Sequence, residues 1–433
     1  MRFVCDNITA DQDRLLFAGR DVTELAEKYK TPLYLMDEDK IREKCRIYKT
    51  AFEKYFPEGS FPMYASKANS FKKIYSIVAE EGLGIDVVSP GEIYTAVKAG
   101  FDMKQAFFQG NNKTDEDIEF AIKYKVGYFV ADNIEELNSI ERIAAENGIC
   151  QKILLRLTPG IDTHTYEADQ TGRIDSKFGV PIETGQAEKL TEYTLSLKNT
   201  KLMGFQCHIG SQVFEEDVFE RSAEIMLEFI AHIKEKTGYS AEYLDLGGGY
   251  GVRYVNSDPY LDIEAKIDDV AKSIKAACER LNIDEPKILM EPGRSIVADA
   301  GMTVYTVGTI KDIPGYKSYV SIDGGMSDNP RFALYGAKYT CLAAGKMNDE
   351  YDKEFSVVGR CCESGDIIQE NVMLPHSICR GDILAVCTTG AYNYSMASNY
   401  NRIPRPPIVL IKEGKDYLAV KRETLDNICE NDL

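Results

Sequence analysis

From about residue 60 to residue 293 the chain repeats one pattern eight times: a short β-branched or aromatic run, a turn, and then a capped helix. The runs are FPMYASK ending at Lys67, IDVVS at Ser89, AFFQG at Gly110, YFVAD at Asp132, ILLRLTP at Pro159, GFQCHIG at Gly210, YLDLGGG at Gly249 and ILMEPG at Gly293. Strands that alternate with helices call for a parallel sheet. Eight such units in about 240 residues predict a closed (β/α)8 TIM barrel rather than an open doubly wound sheet.

The helix boundaries carry their own chemistry. Ser89-Pro90-Gly91-Glu92 places an N-cap serine, a proline at the first helical position and a capping-box glutamate in register. Asp132 with Glu135 predicts the same device, and Thr114 caps an acidic first turn. Gly82, Gly100, Gly127 and Gly148 fall where left-handed C-caps would end helices. After about residue 300 strand-like runs follow one another with turns between them. This predicts an α/β protein in which a barrel over 37–300 is joined to a β-barrel-like domain built from 1–36 and 301–433. The run TPLYLMD would make a ninth strand, assigned to that discontinuous β domain.

A formal charge of −18 excludes a nucleic-acid or anionic-membrane partner, either of which wants a basic surface. The 11 cysteines show no CxxC pairing, and the four histidines have no ligand-like spacing, so no metal site is expected. Without an n-region and h-region at the start, or an apolar run of roughly 20 residues, a cytoplasmic location is expected.

Chemistry-bearing residues collect at the carboxyl ends of the eight runs, where barrel enzymes place their sites. Lys67 taken alone reads as a surface lysine; at a strand end its amine, partly desolvated, can form a Schiff base with an aldehyde cofactor. Gly247-Gly248-Gly249 is either a tight turn or a phosphate cradle. Glu291-Pro292-Gly293-Arg294 on the next strand adds a glycine and a cation, at the strand-seven and strand-eight loops that bind phosphate in barrels. His208 fits a core position or a stacking partner for a planar ring. Glu291 suits either a salt bridge to Arg294 or the balancing of a protonated pyridine nitrogen.

Taken in order, YASKAN at Lys67, DVVSPGE at Asp86, TGRIDSKFG from Thr171, HIGSQ at His208, LDLGGGYG at Gly247, EPGR at Glu291, ALYGA at Tyr335, CESGD at Cys362, GAY at Tyr392 and SMASNYN from Ser395 resemble the diaminopimelate decarboxylases along nearly the whole chain. These are pyridoxal-phosphate enzymes of the alanine-racemase-like fold, grouped with ornithine and arginine decarboxylases. The resemblance implies a pyridoxal 5'-phosphate cofactor carried by Lys67, stacked on by His208 and paired through its ring nitrogen with Glu291. Its phosphate would be held around Gly248, Gly249, Pro292 and Gly293, with Ser211, Arg294 and Tyr392, while Asp86 helps order the site.

The family activity converts meso-2,6-diaminopimelate to L-lysine and carbon dioxide in the last step of lysine biosynthesis. The resemblance further implies a homodimer with sites at the subunit interface, where Cys362 of the partner chain donates a proton. Whether Cys362 or Lys67 delivers the final proton stays open at this stage. Arg294, Arg331 and Tyr335 would read the distal carboxylate and Glu363 the distal ammonium, with Tyr392 nearby. Ornithine-type relatives carry Cys-Asp where this chain has Cys362-Glu363, and an arginine, ornithine or carboxynorspermidine decarboxylase is the alternative reading. A homologue that has lost catalysis is disfavoured by the joint presence of Lys67, His208, Glu291 and Cys362. The chain departs from the family pattern at Pro330-Arg331-Phe332, where Arg-Pro is usual, and at Ser66, where an apolar residue is commoner.

Overall fold

The computed structural model describes residues 3–161 and 175–433, so Thr171–Ile174 of the TGRIDSKFG motif lie outside the described residues. The chain forms two compact units: Lys44–Gly251 with Leu261–Ser295, and Met1–Glu43 with Val252–Tyr260 and Ile296–Leu433.

Among the described residues the first unit builds a barrel of eight parallel strands: β1 (Phe61–Ala65), β2 (Gly84–Val87), β3 (Ala106–Phe108), β4 (Tyr128–Ala131), β5 (Gln151–Thr158), β6 (Thr200–Gln206), β7 (Tyr243–Asp245) and β8 (Lys287–Met290), with the two-residue strand Val180–Pro181 added beside β5. The eight pair in sequence, and β8 pairs with β1 through Leu289 opposite Phe61, so the sheet closes into a TIM-type barrel. The closure continues past β8, where the Pro292 carbonyl accepts from the Ala65 N–H at 3.0 Å.

Side chains alternate across a strand, so one set on each strand fills the barrel. Met63, Phe107, Val130, Leu154, Met203, Tyr243 and Leu289 form one apolar cluster, each contributing roughly 1.5–3 kcal/mol by leaving water. Two residues further along their strands stand Gln109, Asp132, Arg156, Asp245 and Glu291, all buried. Asp86 joins them from β2. On β6 the register shifts between Leu202 and Gly204, and Gln206 takes the equivalent place. The barrel is therefore an apolar floor carrying a ring of polar side chains at its carboxyl end.

Most helix ends agree with the expected chemistry. Ser89 Oγ accepts from the Glu92 N–H at 3.2 Å, and Thr114 with Asp117 forms a reciprocal capping box. Gly82, Gly100 and Gly148 are left-handed. Three expectations are corrected. The Glu92 carboxylate accepts from the Val88 N–H at 2.8 Å, not from the Ser89 N–H that a capping box would use. Asn133, not Asp132, caps the helix Ile134–Glu146, its Oδ1 accepting from the Glu136 N–H at 2.9 Å, because the Asp132 carboxylate turns to the Gly179 N–H at 2.9 Å. Lys125, not Gly127, holds the left-handed position, with φ +59°. Gly127 is needed for closeness, since a Cβ there would lie 2.1 Å from the Lys104 carbonyl oxygen.

In the second unit the long strand Gly301–Ile313 is central, antiparallel to Lys317–Ile322, Ile383–Cys387 and Leu33–Asp37. Leu33–Asp37 also pairs in parallel with Ile408–Lys412. A three-stranded sheet, Ile8–Asp11, Arg14–Phe17 and Arg20–Asp21, packs its Ile8, Leu15 and Phe17 into the core of this unit.

Lys113 tests the energetics of the barrel rim. Its Nζ donates to Glu136 Oε1 at 2.6 Å and to the Gly110 and Val130 carbonyls at 2.9 and 2.7 Å, with both ion-pair partners buried. Removing one partner of such a pair strands the other charge in low dielectric. Lys113→Met is expected to lower unfolding free energy by about 3–5 kcal/mol, and Lys113→Met/Glu136→Leu to recover much of it, as read by urea unfolding. Equal losses in the two variants would refute this account.

Candidate active site

Lys67 lies in a short 3-10 turn, Ser66–Ala68, directly after β1. Its Nζ is 4.0 Å from Asp86 Oδ2; the lysine side chain is 40% exposed and the aspartate fully buried. The amine thus stands at the barrel mouth over a carboxylate sunk into it.

Three carboxyl groups share that interior. Glu291 accepts from Gln109 Nε2 and, at 3.3 Å, from Gln206 Nε2. Asp245 Oδ1 accepts from the Gly247 N–H at 2.9 Å. Burial, then the nearby Glu291, pushes the Asp86 carboxyl up to about 7. Burial raises Asp245 to about 7 as well, and burial together with Asp245 holds Glu291 well above the ordinary carboxylate range. Arg156 is a buried cation close to them, and buried Lys113 also acts on Asp86. Arg156 Nε lies 3.9 Å from Asp132 Oδ1 and its guanidinium 4.4 Å from the Phe178 ring centre.

His208, just past β6, accepts from the Gly248 N–H through Nδ1 at 3.2 Å. Burial and the charges of Lys67 and Arg156 keep its pKa well below the usual histidine value. The ring is therefore neutral with its proton on Nε2, a flat apolar face rather than a cation.

The turns after β6, β7 and β8 interlock closely enough to exclude side chains. A Cβ on Gly248 would sit 2.2 Å from the Glu291 carbonyl oxygen, and one on Gly249, which has φ +122°, would sit 2.3 Å from that of Gly210. Beside these turns Arg294 donates through Nε and a terminal nitrogen to Ser211 Oγ at 3.2 and 2.9 Å.

These residues fit pyridoxal phosphate by the chemistry of their donors and acceptors. The buried side-chain atoms here that lack hydrogen-bond partners include Asp86 Oδ1 and Oδ2, Gln109 Oε1, Gln206 Oε1 and Asp245 Oδ2. Each can accept a hydrogen bond, so the site is matched to a group that brings positive charge and an N–H donor, as a protonated pyridine does. The Cβ-free turns with Ser211 and Arg294 match a phosphate, and Lys67 matches an aldehyde.

The barrel therefore brings together Lys67, His208, Ser211, Gly248, Gly249, Glu291, Pro292, Gly293 and Arg294. The remaining candidates belong to the second unit. There Arg331 is only 2% exposed; it donates to the Tyr339 hydroxyl at 3.0 Å and lies 5.2 Å from the Tyr254 ring centre. It is thus a buried, ring-packed cation and not an exposed loop arginine. Tyr335 ends the short helix Arg331–Tyr335 and is half-buried. Tyr392 is half-buried with φ +60°. Of the neighbouring cysteines Cys361 is buried and Cys362 exposed, beside exposed Glu363.

Gln109, Arg156, Gln206 and Asp245 are site residues absent from the sequence reading. Their signal was a single polar residue at the last inward position of an otherwise apolar run, as in AFFQ, ILLR, GFQ and YLD.

Comparison with known proteins agrees with this geometry. A family model described as "Pyridoxal-dependent decarboxylase, pyridoxal binding domain" matches residues 38–298. The diaminopimelate decarboxylase of Bacillus subtilis (strain 168) is 43% identical over 97% of this chain and 95% of its own length. That of Staphylococcus aureus (strain COL) is 44% identical over 96% and 97%. The crystal structure of diaminopimelate decarboxylase from M. jannaschii in complex with L-lysine superimposes with a TM-score of 0.91 at 33% identity, covering 100% of this chain and 99% of that one.

The raised carboxyl of Asp86 has a consequence for stability. Between its unfolded value of 3.8 and its folded value of about 7, the native state keeps a proton that the unfolded chain releases. Stability of the cofactor-free protein therefore falls as pH rises through that window, by up to about 4 kcal/mol. In Asp86→Asn the fall in urea midpoint between pH 5 and pH 7 should be shallower; an unchanged slope would refute the assignment.

Proposed function

This chain belongs to the pyridoxal-dependent decarboxylases, among the diaminopimelate decarboxylases, and from that premise we infer that it removes one carboxyl group of meso-2,6-diaminopimelate, yielding L-lysine and carbon dioxide as the last step of lysine biosynthesis. The observation that carries the reading is the cluster of unpartnered buried acceptors beneath Lys67, together with the Cβ-free turns and the Arg294–Ser211 pair.

Pyridoxal phosphate, when bound, supplies an electron sink for the pair left on the α-carbon as carbon dioxide departs. Every other part of the reaction falls to side chains of this chain. Lys67 anchors the cofactor through its amine, with Asp86 holding that amine over the barrel. Glu291, clamped by Gln109 and Gln206, keeps the ring nitrogen protonated. His208 offers its neutral face to the ring without adding charge that would oppose the nitrogen's proton. Backbone amides around Gly248, Gly249, Pro292 and Gly293, with Ser211, Arg294 and Tyr392, bind the phosphate.

Cys362 returns a proton to the α-carbon after decarboxylation. Arg294, Arg331 and Tyr335 read the distal carboxylate, for which a guanidinium is the natural bidentate partner, and Glu363 receives the distal ammonium, with Tyr392 nearby. The protein acts as a cytoplasmic homodimer in which Cys362 of one chain serves the cofactor held by the barrel of the other. No helix among the described residues is long and apolar enough to cross a membrane.

Carbon dioxide release measured across diaminopimelate, lysine, ornithine and arginine tests the substrate. Diaminopimelate should lead by at least about 100-fold, as expected when buried polar readers of a distal group lose their partner. Preference for any substrate without a distal carboxylate would point instead to an ornithine- or arginine-type enzyme. For the shared site, inactive Lys67→Ala and strongly impaired Cys362→Ala chains, unfolded and refolded together, should regain activity well above that of either alone. Continued inactivity of the mixture would reject the exchange of Cys362 between chains.

A further inference from the structure

We propose that Asn401 is a positioning residue for Cys362, fixing the backbone from which the cysteine delivers its proton. The proposal rests on Cys362 being the acid.

The loop Cys361–Asp366 is tied down from within at its ends. Asp366 Oδ2 accepts from the Cys361 N–H at 2.7 Å, while Oδ1 accepts from the Met326 N–H at 2.6 Å. The Glu363 N–H reaches the Cys361 carbonyl at 2.8 Å. None of these bonds holds the peptide N–H of Cys362 itself. That N–H donates to Asn401 Oδ1 at 2.7 Å, a side chain 39 residues further along the chain. Cys362 is exposed on its own chain, so packing within the chain does little to fix it; Asn401 holds the N–H side of its peptide plane, and the Glu363 N–H holds the carbonyl side.

The turn that presents Asn401 is built at a cost. Asn401 has φ +52° and Arg402 φ +59°, two consecutive non-glycine residues in the left-handed region, where asparagine is among the best tolerated. Such conformations persist only where the surroundings over-determine them, and here they do. The Arg402 N–H donates to the Asn399 carbonyl at 2.7 Å, and its guanidinium pairs with Asp432 at 2.5 Å. Asn399 Nδ2 donates to Glu423 Oε2 at 2.7 Å. The segment also grips the loop a second time, since the Ser398 N–H donates to the Ser327 carbonyl at 2.8 Å and Ser327 Oγ lies 3.8 Å from Cys361 Sγ. One strained turn thus reaches both cysteines: the buried Cys361 through Ser327 and the exposed Cys362 directly.

A general acid displaced by about 1 Å loses on the order of 100-fold in rate, so the acceptor on residue 401 sets turnover without touching substrate. The test uses the cofactor-loaded enzyme and four variants: Asn401→Gly, Asn401→Asp, Cys362→Ala and Cys362→Ala/Asn401→Gly. Glycine adopts φ +52° without strain but lacks the acceptor; aspartate keeps the acceptor and tolerates the conformation. Asn401→Gly should melt with the parent and bind diaminopimelate with an unchanged KM, yet lose roughly 10–100-fold in kcat. Asn401→Asp should retain parental kcat. In the Cys362→Ala background the glycine change should cost less than about twofold more, because the group it positions is already gone.

Parental kcat in Asn401→Gly, lost kcat in Asn401→Asp, or an equal penalty in both backgrounds would each overturn the role of Asn401 while leaving Cys362 as the acid. Parental turnover in Cys362→Ala would instead remove the premise, and the proposal with it.

Discussion

Everything at the mouth of the barrel depends on one electrostatic constraint: Asp86, Asp245 and Glu291 are buried together with too little positive charge to balance them. Among the described residues, three carboxylates in a low-dielectric interior cannot all stay ionised beside buried Arg156 and half-exposed Lys67, with buried Lys113 already paired to Glu136. The cluster answers by holding protons, which is why Asp86 and Asp245 rise to about 7 and Glu291 further. Near neutral pH such groups exchange a proton for a cation at little cost. An interior of this kind is preorganised to take a positively charged ring nitrogen, and the same surplus of negative charge favours keeping that nitrogen protonated throughout turnover. The neutrality of His208 belongs to the same balance. A protonated imidazole there would add a cation competing for the charge that the carboxylates are arranged to stabilise.

The constraint is tolerable because of what lies beneath it. The apolar layer from Met63 to Leu289 fills the barrel floor, so the strands that carry the acids are held by packing and not by the acids themselves. Gln109 and Gln206 then hold both oxygens of Glu291 with neutral donors, orienting the carboxylate without neutralising it as an arginine would. Arg294 is engaged with Ser211 beside the Cβ-free turns.

Much of this organisation could be read from the chain before folding. Eight apolar runs, their caps and the residues at their ends depend on local propensity and periodicity, and these survive in the structure. Lys67, His208, the triple-glycine turn and Glu291 stand out because each is unusual beside a strand. Gln109, Arg156, Gln206 and Asp245 did not stand out, since a single polar residue ending an apolar run is ordinary until closure of the sheet makes it one member of a ring. The corrections at Asp132 and Gly127 have the same origin. Asp132 is a good N-cap by type, but its strand delivers it to the barrel interior and Asn133 takes the cap. Gly127 has the freedom to end a helix, but the nearness of the Lys104 backbone uses its missing Cβ instead. In both cases a tertiary demand outranked a local one.

One stretch of the second unit carries four strained backbone positions. Thr388, Tyr392, Asn401 and Arg402 all have positive φ between 52° and 60° without being glycine. Left-handed non-glycine residues cost of order 1 kcal/mol each or more, so four within fifteen positions need compensation nearby. Thr303 Oγ1 donates to Thr389 Oγ1 at 2.7 Å, and the buried Asn393 bonds the Thr389 carbonyl at 3.1 Å and the Tyr339 hydroxyl at 3.3 Å. That hydroxyl also receives Arg331 at 3.0 Å. The buried guanidinium and the strained turn are therefore parts of one hydrogen-bonded assembly. Tyr392 is set beside it by a backbone that no relaxed tyrosine would choose. The surrounding network is what keeps that backbone in place.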